Sequence, residues 1–169
     1  MAAGSSTATK VTLPSDTEIL ITREFDAPRD VVFKAMNDPA LIPQWWGPRG
    51  HTTRVDKMDV RPGGAWRFIS GTSAADETAF RGEYREVKAP ERIVQTFEWE
   101  PMAGHISVET ATFTEREGRT VLTVRSVFSS KEDRDGMVQS GMEKGLAETH
   151  DRFAELLAEL RTAAESSAR

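Results

Sequence analysis

The first change of hydrophobic period in the chain separates a predicted strand from a predicted helix. Residues 18–26, E-I-L-I-T-R-E-F-D, are rich in β-branched and aromatic residues, which predicts a strand. After Pro28, the apolar positions Val32, Ala35 and Met36 fall three and four residues apart. This spacing indicates a helix, and the fixed φ of proline suits its first turn. We therefore predict that a strand followed by a short helix opens the domain.

A second short helix is predicted from the dipeptide at Asp38, an N-cap residue followed by proline, and should end at the segment W-W-G-P. Neighbouring side chains on a helix point about 100° apart, so one surface cannot bury two adjacent tryptophans. Trp45 lies four residues after Leu41 and is expected in the core. Trp46 continues a different stripe and is expected at the rim of any interior space.

From residue 52 to residue 128 the pattern is that of strands separated by turn residues, such as R-P-G-G at 61–64. Short connections favour antiparallel neighbours joined by hairpins, because a parallel pair needs a long crossover. The predicted strands are 52–60, 64–70, 78–87, 92–99, 107–115 and 119–127.

The last segment returns to a helical period. Ser129 and Glu132 fit a capping box, which marks the start of a helix. One long C-terminal helix is predicted from the apolar positions that follow at helical spacing. These positions are Met142, Leu146, Thr149, Phe153, Leu156, Leu157 and Leu160. The order of elements predicts an α+β fold in which this helix covers one face of a curved antiparallel sheet. We expect a single domain over residues 17–161, a disordered tail at 1–16 and a frayed tail at 162–169.

Composition excludes several classes of protein. The chain has 169 residues, a formal net charge of -5 and a sequence pI near 5.3. We therefore expect neither a nucleic-acid partner nor a surface that binds a phosphate backbone. The absence of cysteine rules out disulfides, thiolate catalysis and cysteine-ligated zinc. Because no segment reads as a signal peptide or a membrane span, we expect a cytoplasmic protein without a membrane partner.

Strand alternation places many aromatic side chains on one face of the predicted sheet. A core packed directly on the last helix would explain them. A cavity is favoured because this helix carries Gly141 and Gly145, which add no packing volume, and two adaptable methionines, Met137 and Met142. With Trp46 at the rim, the aromatic residues predicted to line the cavity are Trp66, Phe68, Phe80, Tyr84, Phe97, Trp99 and Phe113.

Five segments carry a family resemblance: I-T-R-E-F-D-A-P-R-D-V-V-F-K-A, D-P-A-L-I-P-Q-W-W-G-P-R-G, D-V-R-P-G-G-A-W-R-F, G-E-Y-R-E-V-K-A-P-E-R-I-V-Q-T-F-E-W and G-L-A-E-T-H-D-R-F-A-E-L-L-A-E-L. Together they resemble the family named after the C-terminal domain of the activator of Hsp90 ATPase, in the START-like, Bet v 1-like (SRPBCC) superfamily, over roughly residues 18–160. The resemblance implies a helix-grip fold, in which a curved sheet wraps a long C-terminal helix around a hydrophobic cavity. Its name also implies a possible chaperone contact.

Candidate catalytic chemistry is sparse. His51, His105 and His150 have no metal-ligand spacing, so we expect no metal and interpret them as solvent-exposed or capping residues. Glu98 and Glu100 flank Trp99 and should point away from the aromatic face, towards solvent. No catalytic residue or cofactor is therefore assigned.

Arg23 is the charged residue whose position is hardest to predict. It shares strand parity with Ile19, Ile21 and Phe25, so either it enters the interior and needs a carboxylate or ligand partner, or it extends from the strand to water, as is more usual.

The leading functional hypothesis is binding of a small apolar molecule in the cavity. A cyclase- or dehydratase-like enzyme, kept open by Arg23 and Tyr84, is the alternative, followed by an Hsp90-type co-chaperone; a homodimer is also possible.

Overall fold

Eight strands form one antiparallel sheet in the computed structural model, which describes residues 8–167. The sheet order is β1-β2-β8-β7-β6-β5-β4-β3. In chain order the strands are β1 Lys10–Thr12, β2 Glu18–Phe25, β3 Thr52–Met58, β4 Ala65–Gly71, β5 Thr78–Lys88, β6 Arg92–Trp99, β7 Ser107–Arg116 and β8 Arg119–Val127. The helices are α1 Arg29–Met36, α2 Ile42–Trp45, α3 Lys131–Gln139 and α4 Met142–Ser167, with a 3-10 turn at Glu100–Met102.

The sheet is a meander from β3 to β8, as predicted, because each consecutive pair is antiparallel and joined by a short connection. β2 then pairs with β8, so the first long strand lies beside the last. Register shifts interrupt the β3–β4 pair between Val55 and Lys57 and the β5–β6 pair between Tyr84 and Glu86. Such irregularities bend strands and help the sheet to curve around the helix.

The packed core lies where residues 153–160 of α4 meet the sheet and the two short helices. Phe153 is fully buried, and its ring contacts Phe25 and Trp45 edge-on, with centroids 5.1 and 4.8 Å away. Phe33 of α1 contacts Phe113 of β7 in the same manner at 5.1 Å. These aromatic contacts fix α1, α2 and α4 against one end of the concave face. Together with the curved sheet, they make the helix-grip α+β fold.

The C-terminal helical segment differs from its prediction, because the structure has two helices instead of one. Gly141 has a φ of +84°, a left-handed conformation that interrupts the hydrogen-bond ladder between α3 and α4. The cap also lies one residue later than predicted, since the Ser130 hydroxyl accepts from the Asp133 amide at 3.1 Å. The predicted Ser129–Glu132 box is therefore wrong, although the type of cap is the same.

Three further boundaries differ from the predicted positions. α2 begins at Ile42 instead of at Asp38, whose carboxylate accepts from the Ala40 amide in a preceding turn. Residues 10–12, placed in the predicted N-terminal tail, pair with β2 as an edge strand, and α4 continues through residue 167, past the predicted end at 161. A strand of three residues carries too little side-chain pattern to be predicted. Residues 1–7 and 168–169 lie outside the described part of the chain.

Candidate ligand-binding cavity

A cavity of about 830 Å³ lies between the concave face of the sheet and the helices α2, α3 and α4. Most of its wall is apolar, and the wall draws on β2 and on all strands from β3 to β8. All twelve residues singled out from the sequence lie in this wall: Trp46, Trp66, Phe68, Phe80, Tyr84, Phe97, Trp99, Phe113, Met137, Gly141, Met142 and Gly145. Their placement around one space is a structural fact, while their binding of a ligand stays a prediction.

Five aromatic rings form a connected part of the wall. Trp46 meets Phe68 and Phe80 edge-on, with ring centroids 5.2 and 5.1 Å away. Phe68 also contacts Trp66 at 4.9 Å, and Phe97 contacts Phe80 at 5.7 Å and Trp66 at 6.0 Å. Because each ring rests on at least one other, this surface is held in place by its own packing.

Trp66 has a further anchor. Its indole Nε1 donates to the carbonyl oxygen of Thr96 at 3.1 Å across the intervening strand β5. The ring passes over Gly82, where an added Cβ would lie 2.4 Å from Trp66 Nε1 and 1.9 Å from Thr96 O. Only glycine fits at this crossing, so Gly82 of β5 leaves the space through which the Trp66 ring of β4 reaches Thr96.

The adjacent tryptophans occupy different environments, because α2 ends at Trp45 and the backbone of Trp46 is extended. Both line the cavity, but Trp45 is 6% exposed and packs on Phe153, whereas Trp46 is half-buried and packs on Phe68 and Phe80. The Trp46 carbonyl accepts from the Thr53 hydroxyl at 2.7 Å, which ties the end of α2 to β3. The pair thus joins the packed core to the cavity wall.

Gly141 and Gly145 were expected on one helix face, where they would add no packing volume. The structure gives each of them a different reason to be glycine. Gly141 lies between the helices and not on a helix face, so it does not form a helical stripe with Gly145. An added Cβ at Gly145 would lie 3.4 Å from Pro48 Cγ, which shows that α4 approaches the chain after α2 closely there. Arg152 strengthens this approach by donating to the Gly47 carbonyl at 2.8 Å.

The cavity reaches the surface where its wall residues become exposed, and this region is here called the mouth: Asp76, Trp99, Met102, His105, Glu132, Gly136, Ser140 and Gly141. Two contacts shape it. Trp99 Nε1 donates to the Thr78 hydroxyl at 2.7 Å, and His105 Nδ1 lies 2.8 Å from a carboxylate oxygen of Asp133 on α3. The mouth therefore lies between the β4–β5 turn, the loop after β6, and α3.

A polar row crosses the otherwise apolar wall. Glu109 on β7 lies directly between its cross-strand partners Gln95 on β6 and Ser126 on β8, and Gln95 is paired in turn with Tyr84 on β5. All four residues line the cavity. Sequence reasoning missed Glu109, although its even spacing from Phe113 on one strand placed both side chains on the same face.

Glu109 has an unusual electrostatic environment. Its only hydrogen bond within residues 8–167 comes from the Ser126 hydroxyl to Oε2, at 3.4 Å. The side chain is half-buried, and the surface it retains faces the cavity. Burial raises the pKa of this carboxyl from 4.5 to about 7, an effect that the Ser126 contact only partly offsets. Glu109 can therefore change its charge near neutral pH.

His150 and Arg23 form a buried network at the edge of the cavity, which corrects two readings of the sequence. His150 is 5% exposed and lines the cavity, so it is neither solvent-exposed nor a cap. Its Nδ1 lies 2.8 Å from the Thr9 hydroxyl, which accepts from Arg23 Nη1 at 3.3 Å. Burial, followed by the charge of Arg23, lowers the pKa of His150 to about 4, so its ring is neutral at pH 7.

Arg23 is 4% exposed and donates to the Asp151 carboxylate at 2.9 Å, so it takes the buried, carboxylate-paired position instead of extending to water. Its guanidinium lies over the Phe25 ring at 5.4 Å. α4 brings Asp151 to this point, a contact that strand parity alone could not show. Arg23 does not line the cavity and instead supports the His150 side.

Glu98 and Glu100 lie outside the cavity wall, as expected from their position beside Trp99. Glu98 is nevertheless buried, which corrects the expectation of a solvated strand face. It accepts from Arg81 at 2.8 Å and from the Gly104 amide at 2.6 Å, and both interactions lower its pKa. Glu100 accepts from Arg67 at 2.7 and 2.9 Å. These carboxylates are structural partners of arginines.

Within residues 8–167, no group of three or more histidine and carboxylate side chains is placed to hold a metal ion. Over the same range, none of the helices combines the length and the apolar character needed to cross a bilayer.

Solved structures from several bacteria share this fold. Ms6760 from Mycobacterium smegmatis is 26% identical with a TM-score of 0.80, over 89% of this chain and 96% of the other. A Rhodobacter sphaeroides protein is 22% identical with a TM-score of 0.83, over 89% and 99%. An Arthrobacter aurescens protein is 23% identical with a TM-score of 0.80, over 89% and 91%.

Comparison by sequence gives the family. No curated protein matches the chain. Residues 26–158 match the family described as Activator of Hsp90 ATPase homolog 1-like protein, and this stretch includes α1, α2, β3 to β8 and the cavity-lining part of α4. The chain therefore belongs to the Activator of Hsp90 ATPase homolog 1-like family, within the START-like superfamily.

Proposed function

We propose that this protein binds a small, largely apolar molecule in the cavity between its sheet and its C-terminal helices. The observation that carries the proposal is the interior space of about 830 Å³ with its connected aromatic wall. This volume lies in the range of about 300–1,000 Å³ that is typical of small-molecule sites. Apolar walls with a few polar groups are also typical of such sites, and here the polar groups are those of the row around Glu109.

The way in which the wall is held supports this proposal. An interior space of this size forgoes packing contacts and therefore lowers stability. The chain nevertheless fixes the surrounding rings, through the Trp66 hydrogen bond to Thr96 and the ring contacts of Trp46. A wall that is held open in this way is preorganised, so a ligand can bind without first ordering it.

Fluorescence titration with the neutral apolar dye N-phenylnaphthylamine tests the proposal. We expect saturable binding that is lost in Ala111→Phe, because Ala111 lines the cavity on β7 and the larger ring would fill it. Thr112→Phe is the matched control, since Thr112 is exposed on the opposite face of the same strand. Binding that is unsaturable, or equal in both variants, would refute an internal site.

An enzyme of the cyclase or dehydratase kind is a second candidate, because Glu109 faces the cavity with a pKa of about 7. A carboxyl with this pKa can both donate and accept a proton near neutral pH. Liquid chromatography with mass spectrometry of small molecules extracted from the wild-type protein and from Glu109→Gln tests it. Conversion predicts a product in the wild type and its unreacted precursor in the variant, which differ in mass after loss of water and in retention after a ring closure that keeps the mass. The same compounds in both proteins would support binding alone.

A further inference from the structure

The ionisable residues of the cavity wall have one sign of permanent charge. Among the described residues, no lysine or arginine lines the cavity. The wall contains four carboxylates, three histidines and a tyrosine: Asp76, Glu109, Glu132, Asp133, His51, His105, His150 and Tyr84. His150 is neutral at pH 7, since its pKa is lowered to about 4. An anionic ligand would therefore meet carboxylates without meeting a permanent cation.

Three of the four carboxylates lie in or beside the mouth: Glu132 is exposed to solvent, and Asp76 and Asp133 are already occupied by protein donors. Asp76 accepts from the amides of Thr72 and Ser73, at 2.9 and 2.7 Å, and closes the β4–β5 turn. Asp133 lies 2.8 Å from His105 Nδ1. These hydrogen bonds explain Asp76 and Asp133 as structural residues. Their charge still contributes to the electrostatic potential at the mouth.

Glu109 differs because it lies inside the cavity and its partner is weak. The cross-strand neighbours Gln95 and Ser126 are uncharged, and the Ser126 contact of 3.4 Å is long for a hydroxyl donor. A buried carboxylate without a cation or good donors is costly, which gives a ligand that supplies one a specific advantage. The oxygen Oε1 makes no hydrogen bond to residues 8–167.

From this arrangement we infer that the ligand is an apolar amine, whose protonated nitrogen binds Glu109 while its apolar body packs on the rings of Trp46, Phe68 and Phe80. The inference rests on the proposed function and narrows it to one chemical class. Aromatic rings attract cations through their faces, so this wall does not oppose a positive charge as an aliphatic wall would. A charge-assisted hydrogen bond to Glu109 would set the orientation of the ligand.

Competition against bound N-phenylnaphthylamine at pH 8 tests the inference. At this pH Glu109 is mostly ionised, since its pKa is about 7. The competitors are naphthylmethylamine, naphthylmethanol and naphthylacetic acid, which share one apolar body and differ in charge. We expect the amine to bind about tenfold or more tightly than the alcohol, as one charge-assisted hydrogen bond implies, and the acid to bind most weakly.

Two variants assign the preference to one carboxyl. Glu109→Gln keeps the shape and removes the charge, so it should weaken amine binding about tenfold and leave the dye and the alcohol unchanged. Glu83→Gln is the matched control, because Glu83 is an exposed residue of β5 that does not line the cavity. It removes the same net charge and should leave all four affinities unchanged.

The outcomes separate this inference from the function on which it rests. If the dye binds but the wild-type protein prefers the alcohol or the acid to the amine, the amine is wrong and the apolar site stands. Loss of the preference in both variants would assign it to net charge and would also overturn the role of Glu109. If the dye does not bind the wild type saturably, the proposed function and the inference fail together. The wild-type comparison needs no variant to fold.

Discussion

Residues 142–160 of α4 border the sheet, yet only the second half of this stretch packs against it, while the first half encloses a space. In the second half, Phe153, Leu156 and Leu157 are at most 5% exposed, and they fill the concave face together with Trp45. In the first half, Gly145 and Leu146 are only half-buried, and both line the cavity. The sheet contributes aromatic rings to both halves. What differs is the side-chain volume that the helix sets opposite them.

Strand β7 shows the same difference along its inward face. Phe113 lies near one end and packs on Phe33 of α1, with ring centroids 5.1 Å apart. Glu109, on the same face near the other end, has one hydrogen bond within residues 8–167, from Ser126, and faces the cavity. On this strand, the aromatic side chain lies where α1 packs on the sheet, and the polar one lies where the helices leave space.

Truncating Trp45 should give the largest effect, because it removes a ring from the packed half. We expect Trp45→Ala to lower the free energy of unfolding by about 3–5 kcal/mol, as deletion of a core aromatic residue does. Urea denaturation followed by circular dichroism measures it. A loss below about 1 kcal/mol would show that this half is not tightly packed.

The effect of Glu109→Gln on stability should depend on pH. The carboxyl has a pKa of about 7 in the folded protein and 4.5 as its ordinary value, so its contribution to stability is full below pH 4.5 and is lost as the pH rises through 7. Glutamine has no such loss. The stability of the variant relative to the wild type should therefore increase by about 2–3 kcal/mol between pH 5 and pH 8, as measured by urea denaturation.

His150 acts in the opposite direction and must be separated from this effect. Its pKa is about 4 in the folded protein against an ordinary value of 6.5, so its contribution is full above pH 6.5 and is lost as the pH falls through 4. Both proteins contain His150, so the difference between their pH profiles cancels it. A flat difference profile would contradict the assigned environment of Glu109. His150→Gln serves as the control, since it should change the profile below pH 6.5 only.

Trp46→Ala should cost less stability than Trp45→Ala and affect binding instead. Trp46 is half-buried, and its main ring contacts are with Phe68 and Phe80 across the cavity wall. We expect a loss of about 1–2 kcal/mol in the free energy of unfolding, consistent with two edge-on ring contacts. The affinity for N-phenylnaphthylamine should fall several-fold. Unchanged dye affinity in the folded variant would show that Trp46 does not belong to the binding surface.

The strands could be predicted from the sequence because their signals are local. Alternation and turn residues place each of the strands from β2 to β8 within two residues of its position, and the twelve expected residues all line one cavity. The same alternation could have found Glu109. Charged side chains rarely lie in the interior of a protein. That expectation outweighed the strand alternation, which places Glu109 on the inward face.

The parts that could not be predicted depend on contacts between distant residues or on backbone conformation. The network of Arg23, Thr9, His150 and Asp151 includes a hydrogen bond between positions 141 residues apart. Strand parity gave a local signal for Arg23 alone, and it did not identify the partner. The break between α3 and α4 was missed because the apolar spacing after it continues a helix. A glycine inside a helix and a left-handed glycine between helices have the same sequence signature.

The smallest expected effects come from two glycines at the mouth, and their opposite signs would show where the helical backbone is interrupted. Gly136 lies within α3 with no atom within 4 Å of an added Cβ, so Gly136→Ala should raise the free energy of unfolding by about 0.5–1 kcal/mol. Gly141 has equal space but a φ of +84°, so Gly141→Ala should lower it by about 1 kcal/mol. Stabilisation by both substitutions would mean that one continuous helix borders the cavity mouth, as the apolar spacing alone predicts.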